Sequence, residues 1–149
     1  MPEKDIFEIL KRDHGQILEL LSRVDTPLER DERARRYDEV RAEIKAHAAA
    51  EEAVFYPRLR QSPQAVSLAR EGLHDHAEMD KLMYELDSLD VYDEEWLEAT
   101  RDLRDCFRHH AKDEEGRYFA KLRLILDERS LSLLGEEFER IREGSLRAA

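Results

Sequence analysis

The chain contains one six-residue motif twice, and its residue types are those that bind transition metals. The motif His-x-x-x-Glu-Glu begins at His47 and again at His110. A histidine and a glutamate four residues apart lie on the same face of an α-helix, where both side chains can reach one cation or two adjacent cations. The two motifs therefore predict a metal site between two helices, with Glu51 and Glu114 as its carboxylates.

A second repeated feature is an Asp-His dipeptide, which occurs at Asp13-His14 and at Asp75-His76, each time before an apolar-rich helical stretch. His14 and His76 are 62 residues apart, and His47 and His110 are 63 residues apart. This spacing indicates a two-helix unit that is used twice. Two such hairpins would bring four histidines and two glutamates into the interior of one helical bundle.

Six nitrogen and oxygen donors exceed the four ligands of a tetrahedral zinc site. They suit a pair of first-row transition metals, with each glutamate able to bridge both ions, and they favour iron, with zinc or manganese as alternatives. Unpaired carboxylates in an apolar core would lose several kcal/mol of hydration, so a metal also explains why such groups are predicted to face inward.

The elements that must position these donors are helical, because apolar side chains recur at intervals of three and four residues. The ring of Pro57 removes a backbone donor, so Tyr56-Pro57 is expected to bend or break the second helix. Gln61-Ser62-Pro63 is the predicted turn. Ser130 is expected to cap a fifth helix that Gly144 ends. The expected stretches are 3–24 (ended by Asp25-Thr26-Pro27), Tyr37 to Tyr56-Pro57, about 63–89, Trp96 to Ile125, and about 130–143.

The predicted fold is all-α, because no stretch shows sustained alternation of apolar and polar residues. The connections are short, which favours an up-and-down antiparallel four-helix bundle with a short additional C-terminal helix. A chain of 149 residues is long enough for one domain with a core. We therefore predict a single domain over residues 1–149, with the bundle at about 3–127 and the C-terminal helix at about 130–143.

Charge and composition exclude several classes of function. With 36 acidic and 25 basic residues, the net charge is -11, which disfavours nucleic acid or an anionic membrane surface as a partner. The chain has no apolar run of membrane-spanning length, and its first residues lack the apolar region of a signal peptide, so a cytoplasmic location is expected. The lone cysteine, Cys106, is expected to be a small buried hydrophobic residue.

These motifs resemble those of the hemerythrin-like, HHE cation-binding family, over about residues 5–126. The resemblance implies a non-haem di-iron centre in an up-and-down four-helix bundle, whose members bind oxygen or nitric oxide, sense oxygen, iron or redox state, or handle peroxide. The metal ligands that it implies are His14, His47, Glu51, His76, His110 and Glu114.

One departure from the oxygen-carrying hemerythrins concerns the third helix, where those proteins have two histidines one turn apart. Here Asp80 lies four residues after His76, and Gly72 lies four residues before it. His74 is only two residues from His76, on another face of a regular helix. Either Asp80 supplies a seventh ligand, or one metal has one histidine fewer and keeps a solvent site.

The carboxylates beside the predicted ligands are expected to have roles other than direct metal binding. Glu52 and Glu115 lie about 100° around the helix from the ligand glutamates, so they are expected to be solvated or to support a ligand rather than bind metal. Asp13 and Asp75 are expected either to orient a neighbouring imidazole or to contact an arginine or lysine.

Other residues near the motifs are expected to lie outside the metal site. His74 and His109 do not follow the repeated pattern, and we expect both on the surface. The aromatic residues after the motifs are expected to pack the end of the bundle, with contact between one tyrosine and a bound oxygen species as the alternative. These residues are Phe55, Tyr56, Tyr118 and Phe119.

Three functions are compatible with these patterns. The first is a non-catalytic di-iron protein that binds or senses oxygen, nitric oxide or a reactive oxygen species, with a small diatomic molecule or peroxide as its ligand. The second is a di-iron enzyme that consumes peroxide or reduces nitric oxide. The third is a helical interaction domain with a structural metal. The ferritin-type Glu-x-x-His order and the zinc-protease His-Glu-x-x-His motif are both absent from the sequence.

Overall fold

The structure, a computed structural model, describes residues 4–26 and 29–148, and every regular element in these ranges is helical. We number five helices, two of which pass through a π-helical turn. Their bounds are α1 (Ile6–Leu21), α2 (Arg30–Ala50, π turn Glu51–Phe55, then Tyr56–Arg60), α3 (Val66–Ser88), α4 (Glu94–Asp113, π turn Glu114–Tyr118, then Phe119–Ile125) and α5 (Glu128–Ala148). The predicted all-α bundle is confirmed.

Helices α1 to α4 form the antiparallel bundle, and its apolar core is divided into two clusters by a polar layer. One cluster includes Leu10, Phe55 and Phe119. The other includes Ile17, Trp96 and further apolar residues of all four helices. Burying a large apolar side chain contributes about 1.5–3 kcal/mol. The two clusters therefore provide the free energy that holds polar groups between them in place.

Of the two outcomes predicted for Tyr56-Pro57, a bend or a break in the second helix, the break does not occur. After the π turn Glu51–Phe55, the chain resumes α-helical geometry, and Pro57 is the second residue of the segment Tyr56–Arg60. Proline is tolerated in the first turn of a helical segment, and its fixed φ suits that position. The turn expected at Gln61-Ser62-Pro63 is present, because residues 61–65 lie between the helical segments Tyr56–Arg60 and Val66–Ser88, and the backbone N–H of Ala65 bonds to the carbonyl of Ser62 at 3.0 Å.

The C-terminal helix is not short, and the predicted bounds of 130–143 are wrong. Helix α5 has 21 residues and begins after Asp127, whose Oδ1 accepts a hydrogen bond of 2.8 Å from the backbone N–H of Ser130. Asp127 is thus the cap expected of Ser130. Gly144 lies within the helix, and no glycine in the described ranges has the positive φ of a helix-ending residue.

Helix α5 packs across α1 and α2. A Cβ on Gly135 would lie 2.8 Å from the backbone oxygen of Lys4, so the two backbones are in close contact there. Phe138 of α5 is fully buried against the bundle. The fifth helix is therefore part of the core around α1 and α2.

The C-terminal end of α1 differs from the prediction. Helix α1 ends at Leu21, three residues earlier than expected, although Val24 remains buried in the turn that follows. Pro27, which was expected to end α1, lies outside the described residues, as does the predicted first residue, Glu3.

Among the residues that are described, none of the helices combines the length and the apolar character needed to cross a bilayer.

Candidate metal centre

The structure brings together the four histidines and two glutamates of the repeated motifs in the polar layer between the two apolar clusters. Each side chain lies on a different turn of helices α1 to α4, and none exposes more than 5% of its surface. The residues are His14, His47, Glu51, His76, His110 and Glu114.

The donor atoms form two groups, each with its atoms within 4.8 Å of one another. The first group consists of His14, His47, Glu51 and Glu114, and the second of Glu51, His76 and His110. Glu51 belongs to both groups. This arrangement fits two adjacent cations that share a carboxylate, which agrees with the two-metal site predicted from the six donors.

The two glutamates connect the groups in different ways. Glu51 Oε1 lies 3.1 Å from the Nε2 atoms of both His47 and His76, and 3.6 Å from His110 Nε2. Glu114 uses both oxygens, with Oε1 3.1 Å from His14 Nε2 and Oε2 3.1 Å from His110 Nε2. Each carboxylate therefore reaches imidazoles of both groups.

Two buried polar atoms of this cluster make no hydrogen bond to any described residue. They are Glu51 Oε2 and His47 Nε2, the latter because its 3.1 Å contact with Glu51 Oε1 lacks hydrogen-bond geometry. An unsatisfied buried donor or acceptor costs about 1–3 kcal/mol. A cation between them would satisfy a carboxylate oxygen and an imidazole nitrogen together. The chemistry of the donor set thus fits a bound metal.

A carboxylate lies next to the outer nitrogen of each of the four imidazoles. The Nδ1 to carboxylate-oxygen distances are between 2.8 and 3.2 Å. This hydrogen bond directs the other ring nitrogen, Nε2, into the cluster and raises the basicity of a metal-binding imidazole. The pairs are His14 with Glu115, His47 with Asp13, His76 with Glu52, and His110 with Asp75.

These pairs cross between helices in a repeated pattern. Asp13 does not bind its neighbour His14; it accepts from His47 on α2. Glu115 on α4 accepts from His14 instead. Adjacent residues are about 100° apart around a helix, so a residue beside an inward donor faces the next helix. Of the two roles open to Asp13 and Asp75, the structure assigns the orientation of an imidazole to both, and for Asp13 also an ion pair with Arg142 at 3.3 Å.

The buried histidines and glutamates of the cluster shift each other's pKa values. Burial by itself lowers the pKa of His47, but the negative charges of Glu51 and Asp13 and the hydrogen bond to Asp13 outweigh it and raise that pKa to about 10. Burial raises the pKa of Glu51, and the adjacent imidazoles overcome this and hold it well below its usual value. Protons on the imidazoles therefore compensate the buried carboxylates where a metal would otherwise do so.

Asp80 does not join the cluster, so the alternative of a seventh ligand at this position is corrected. Its side chain is 62% exposed, and Oδ1 lies 3.8 Å from Lys45 Nζ on α2. The core-facing positions of that part of α3 are occupied by Met79 and Met83, which are both buried. The apolar stripe of α3 thus turns Asp80 toward solvent.

The remaining histidines and the cysteine lie away from the cluster. His74 and His109 are exposed, in agreement with the expectation that they are surface residues. Cys106 is only partly buried, and it packs against the apolar cluster that includes Trp96. Burial raises the pKa of its thiol above the usual value, which makes it a poor nucleophile.

Tyr56 was expected to pack the end of the bundle, but its hydroxyl lies inside the donor cluster. The hydroxyl donates to Glu114 Oε2 at 2.9 Å and lies 3.1 Å from His76 Nε2 and 3.3 Å from His110 Nε2. In a regular α-helix, Tyr56 would not share a face with Glu51, five residues earlier. In the π turn, the N–H of Tyr56 bonds to the carbonyl of Glu51, which aligns these two residues.

Phenylalanine rings enclose the group that contains His14 and His47. Phe107 lies 5.9 Å from the His14 ring and 6.0 Å from the His47 ring, measured between ring centroids. Phe138 of α5 lies 5.6 Å from the His47 ring. No motif predicted that Phe138 contacts the donor cluster, because this residue lies outside the repeated unit. The long fifth helix thus closes one side of the site with apolar surface.

Solved structures include one with the same fold. It is a hemerythrin HHE cation-binding domain-containing protein, the Rv2633c homologue from Mycobacterium kansasii. The TM-score is 0.79, and the match covers 97% of this chain and 89% of that chain at 18% identity. At this identity the similarity supports the fold, and the helical bundle agrees with the one described above.

Among curated proteins, this chain is similar to a protein from Nostoc sp. named DNA nickase. The two are 24% identical over 137 residues, which are 92% of this chain and 39% of that protein. The chain therefore spans less than half the length of this relative.

The family comparison covers the part of the chain that builds the donor cluster. Residues 5–122 match the hemerythrin HHE cation-binding domain, a range that includes all six inward donors and both π turns. The resemblance inferred from the two motifs is thereby confirmed. The donor layer, the helical bundle and this match lead to one conclusion: the chain belongs to the hemerythrin HHE cation-binding domain family.

Proposed function

We propose that this domain holds two iron ions and binds or senses oxygen, nitric oxide or a reactive oxygen species. The observation that carries the proposal is the pair of donor groups that share Glu51. Imidazole nitrogens and carboxylate oxygens suit iron better than calcium or magnesium, which prefer oxygen ligands alone.

The outer carboxylates support the same proposal. All four Nδ1 atoms are engaged by Glu115, Asp13, Glu52 and Asp75, so every Nε2 faces the cluster. A set of imidazoles that is already oriented binds a cation without losing further side-chain entropy. A bound metal pair would supply the redox and ligand-binding chemistry, while the protein supplies orientation and negative charge.

A small ligand is favoured over an organic substrate because the cluster is deeply buried. The six donors expose at most 5% of their surface, and Phe107 and Phe138 line one side. Four imidazoles and two bridging carboxylates do not fill two octahedral coordination spheres. Diatomic molecules and peroxide are small enough to reach such a position and to be retained in an apolar surrounding.

Metal analysis of protein purified without a histidine tag tests the first step. We expect iron at about two ions per chain after anaerobic reconstitution with ferrous iron. The visible spectrum of the loaded protein is then recorded while oxygen, nitric oxide or peroxide is added and removed. A reversible spectral change would support binding or sensing. A protein that retains no iron, manganese or zinc would contradict the proposal.

A catalytic function is the second candidate, because coordination positions not filled by the six donors could accept a substrate. Asp80, which could have filled one, faces solvent. Peroxide consumption and nitric oxide reduction are measured on the same iron-loaded samples, with the inert zinc-loaded protein as control. Sustained turnover would favour the enzyme, whereas stoichiometric, reversible binding without turnover would favour the sensor or carrier.

The third candidate, an interaction domain with a structural metal, is separated from the others by redox behaviour. A structural metal would stabilise the bundle equally whether it is zinc or iron. The visible spectrum of the iron-loaded protein would then not change when oxygen or nitric oxide is added. The proposal does not extend to DNA cleavage, although the Nostoc relative is named a DNA nickase. The match covers 39% of that protein, and this chain carries a net charge of -11.

A further inference from the structure

We propose that the phenol oxygen of Tyr56 is a ligand of the cation held by His76 and His110. This inference rests on the proposed function, because it requires that the cluster holds iron. It concerns the coordination position that a second histidine on α3 would fill, which α3 does not supply. Neither the repeated motif nor Asp80 fills that position.

The contacts of the Tyr56 oxygen are those of a member of the donor set. Three atoms lie within 3.3 Å of it, namely Glu114 Oε2, His76 Nε2 and His110 Nε2. Neighbouring ligand atoms on an octahedral ion with bonds of about 2.0–2.2 Å are separated by about 3 Å. The spacing of the phenol oxygen from these three donors therefore matches the spacing expected around one shared ion.

The orientation of the two imidazoles points to the same place. Nδ1 of His76 bonds to Glu52, and Nδ1 of His110 bonds to Asp75, so each ring directs Nε2 toward the phenol oxygen. When these nitrogens lose their protons to a metal, their lone pairs and those of the oxygen face one region. A cation in that region would be within reach of all three lone pairs.

The internal repeat shows that this arrangement belongs to one half of the molecule. The residue five positions after Glu51 is Tyr56, whereas the residue five positions after Glu114 is Phe119. Both are fully buried and follow a π turn. A phenylalanine fills the same place in the other half, so packing alone does not explain a hydroxyl at Tyr56.

A second asymmetry in the repeat makes room for the tyrosine. Four residues before His14 is Leu10, and four residues before His76 is Gly72. A Cβ on Gly72 would lie 2.5 Å from Tyr56 Cζ and 2.6 Å from the Tyr56 hydroxyl. The phenol thus occupies space that any other residue at position 72 would fill. The absence of a side chain at Gly72 is therefore what allows the hydroxyl of Tyr56 to lie beside His76.

Ferric loading gives a direct readout of this bond. Coordination of a phenol oxygen to a ferric ion releases the phenol proton, because the positive charge favours the anionic ligand. The product has a phenolate-to-iron charge-transfer band in the visible region and phenolate vibrations in its resonance Raman spectrum. We expect both signals in the protein after anaerobic loading with ferrous iron and oxidation in air.

The Tyr56→Phe variant should lose both signals while it retains helicity and bound iron. Tyr118→Phe is the matched control, because Tyr118 is also fully buried and its hydroxyl makes no hydrogen bond with the described residues. That variant should keep both signals. Gly72→Ala tests the location of the phenol ring while Tyr56 itself is retained. It should weaken or abolish the signals, because the new Cβ displaces the phenol ring.

The outcomes separate this inference from the proposed function. Failure of the native protein to retain iron would contradict the proposed function itself. Iron at the expected content without a phenolate signal would overturn only the assignment of Tyr56, as would a signal that persists in Tyr56→Phe. A signal lost in Tyr56→Phe and kept in Tyr118→Phe would establish the ligand.

Discussion

Asp75 lies beside His76 on α3, yet its carboxylate accepts a hydrogen bond of 2.9 Å from His110 Nδ1 on α4. The repeat contains the equivalent bond between Asp13 on α1 and His47 on α2. In each hairpin, the first helix thus orients the histidine of the second. In the polar layer, each of the four imidazoles is thus hydrogen-bonded to a carboxylate of another helix.

Asp75→Asn should lower metal affinity by about 10-fold to 100-fold, because the amide is a weaker acceptor for His110 Nδ1 than the carboxylate. Competition between the protein and a chromophoric chelator measures the change. Asp105→Asn on α4 is the control, since Asp105 is 70% exposed and pairs only with Arg108 among the contacts described. Similar affinities for the two variants would show that Asp75 has no role in the site.

His47→Ala should reduce metal content, because it removes a fully buried imidazole next to Glu51 and Asp13. Glu114→Ala should do the same, since Glu114 contacts histidines of both groups. His109→Ala should leave metal content unchanged. Although His109 is next to His110 in the sequence, its side chain is exposed and does not face the cluster. Elemental analysis of the three variants checks these expectations, and equal losses in all three would contradict the assigned helix faces.

The stability of the metal-free protein should fall as the pH rises from about 7 to about 9. The pKa of His47 is about 10 in the folded state and about 6.5 when unfolded, so the folded state holds its proton more tightly. This contribution is complete below about pH 6.5 and is lost as the pH approaches the folded value, by at most about 1.4 kcal/mol per pH unit for one imidazole. Urea unfolding at several pH values measures it.

The His47→Gln variant is the control for this pH dependence, and its stability should decline less steeply over the same range. Glu51 acts in the opposite sense. Its pKa is depressed on folding, so its contribution is present above the unfolded value near 4.5 and lost as the pH falls through the folded value. A free energy of unfolding that does not change between pH 7 and pH 9 would contradict the assigned protonation states.

Gly135→Ala should destabilise the protein by about 1–3 kcal/mol, because overpacking forces α5 away from the backbone of the residues just before α1. Its new Cβ would lie 2.8 Å from the Lys4 carbonyl oxygen and 2.9 Å from Ile9 Cδ1. Gly144→Ala, on the same helix, has no atom within 4 Å of the added Cβ and should stabilise by about 0.5–1 kcal/mol. Thermal unfolding of both variants measures the difference, and a shift of equal sign in both would refute the close packing at Gly135.

Most of the fold and the six inward donors could be predicted because they depend on local periodicity. Apolar residues at intervals of three and four define the helix faces, and a histidine and glutamate four residues apart share such a face whatever packs against it. The repeat of this pattern at His47 and His110 then identifies the partners. Both ends of α5 differ from the prediction, because Asp127 rather than Ser130 caps its first turn and Gly144 lies inside the helix without a positive φ.

The sequence by itself determined which residues face inward, because that property depends on spacing along single helices. Only the tertiary structure decided which carboxylate orients which imidazole, since Asp75 and His110 meet across two helices. It also excluded Asp80, which faces Lys45, and included Tyr56, which the π turn rotates onto the face of Glu51. These outcomes depend on helix packing and on one extra residue in a turn, and periodicity calculated for a regular α-helix contains neither.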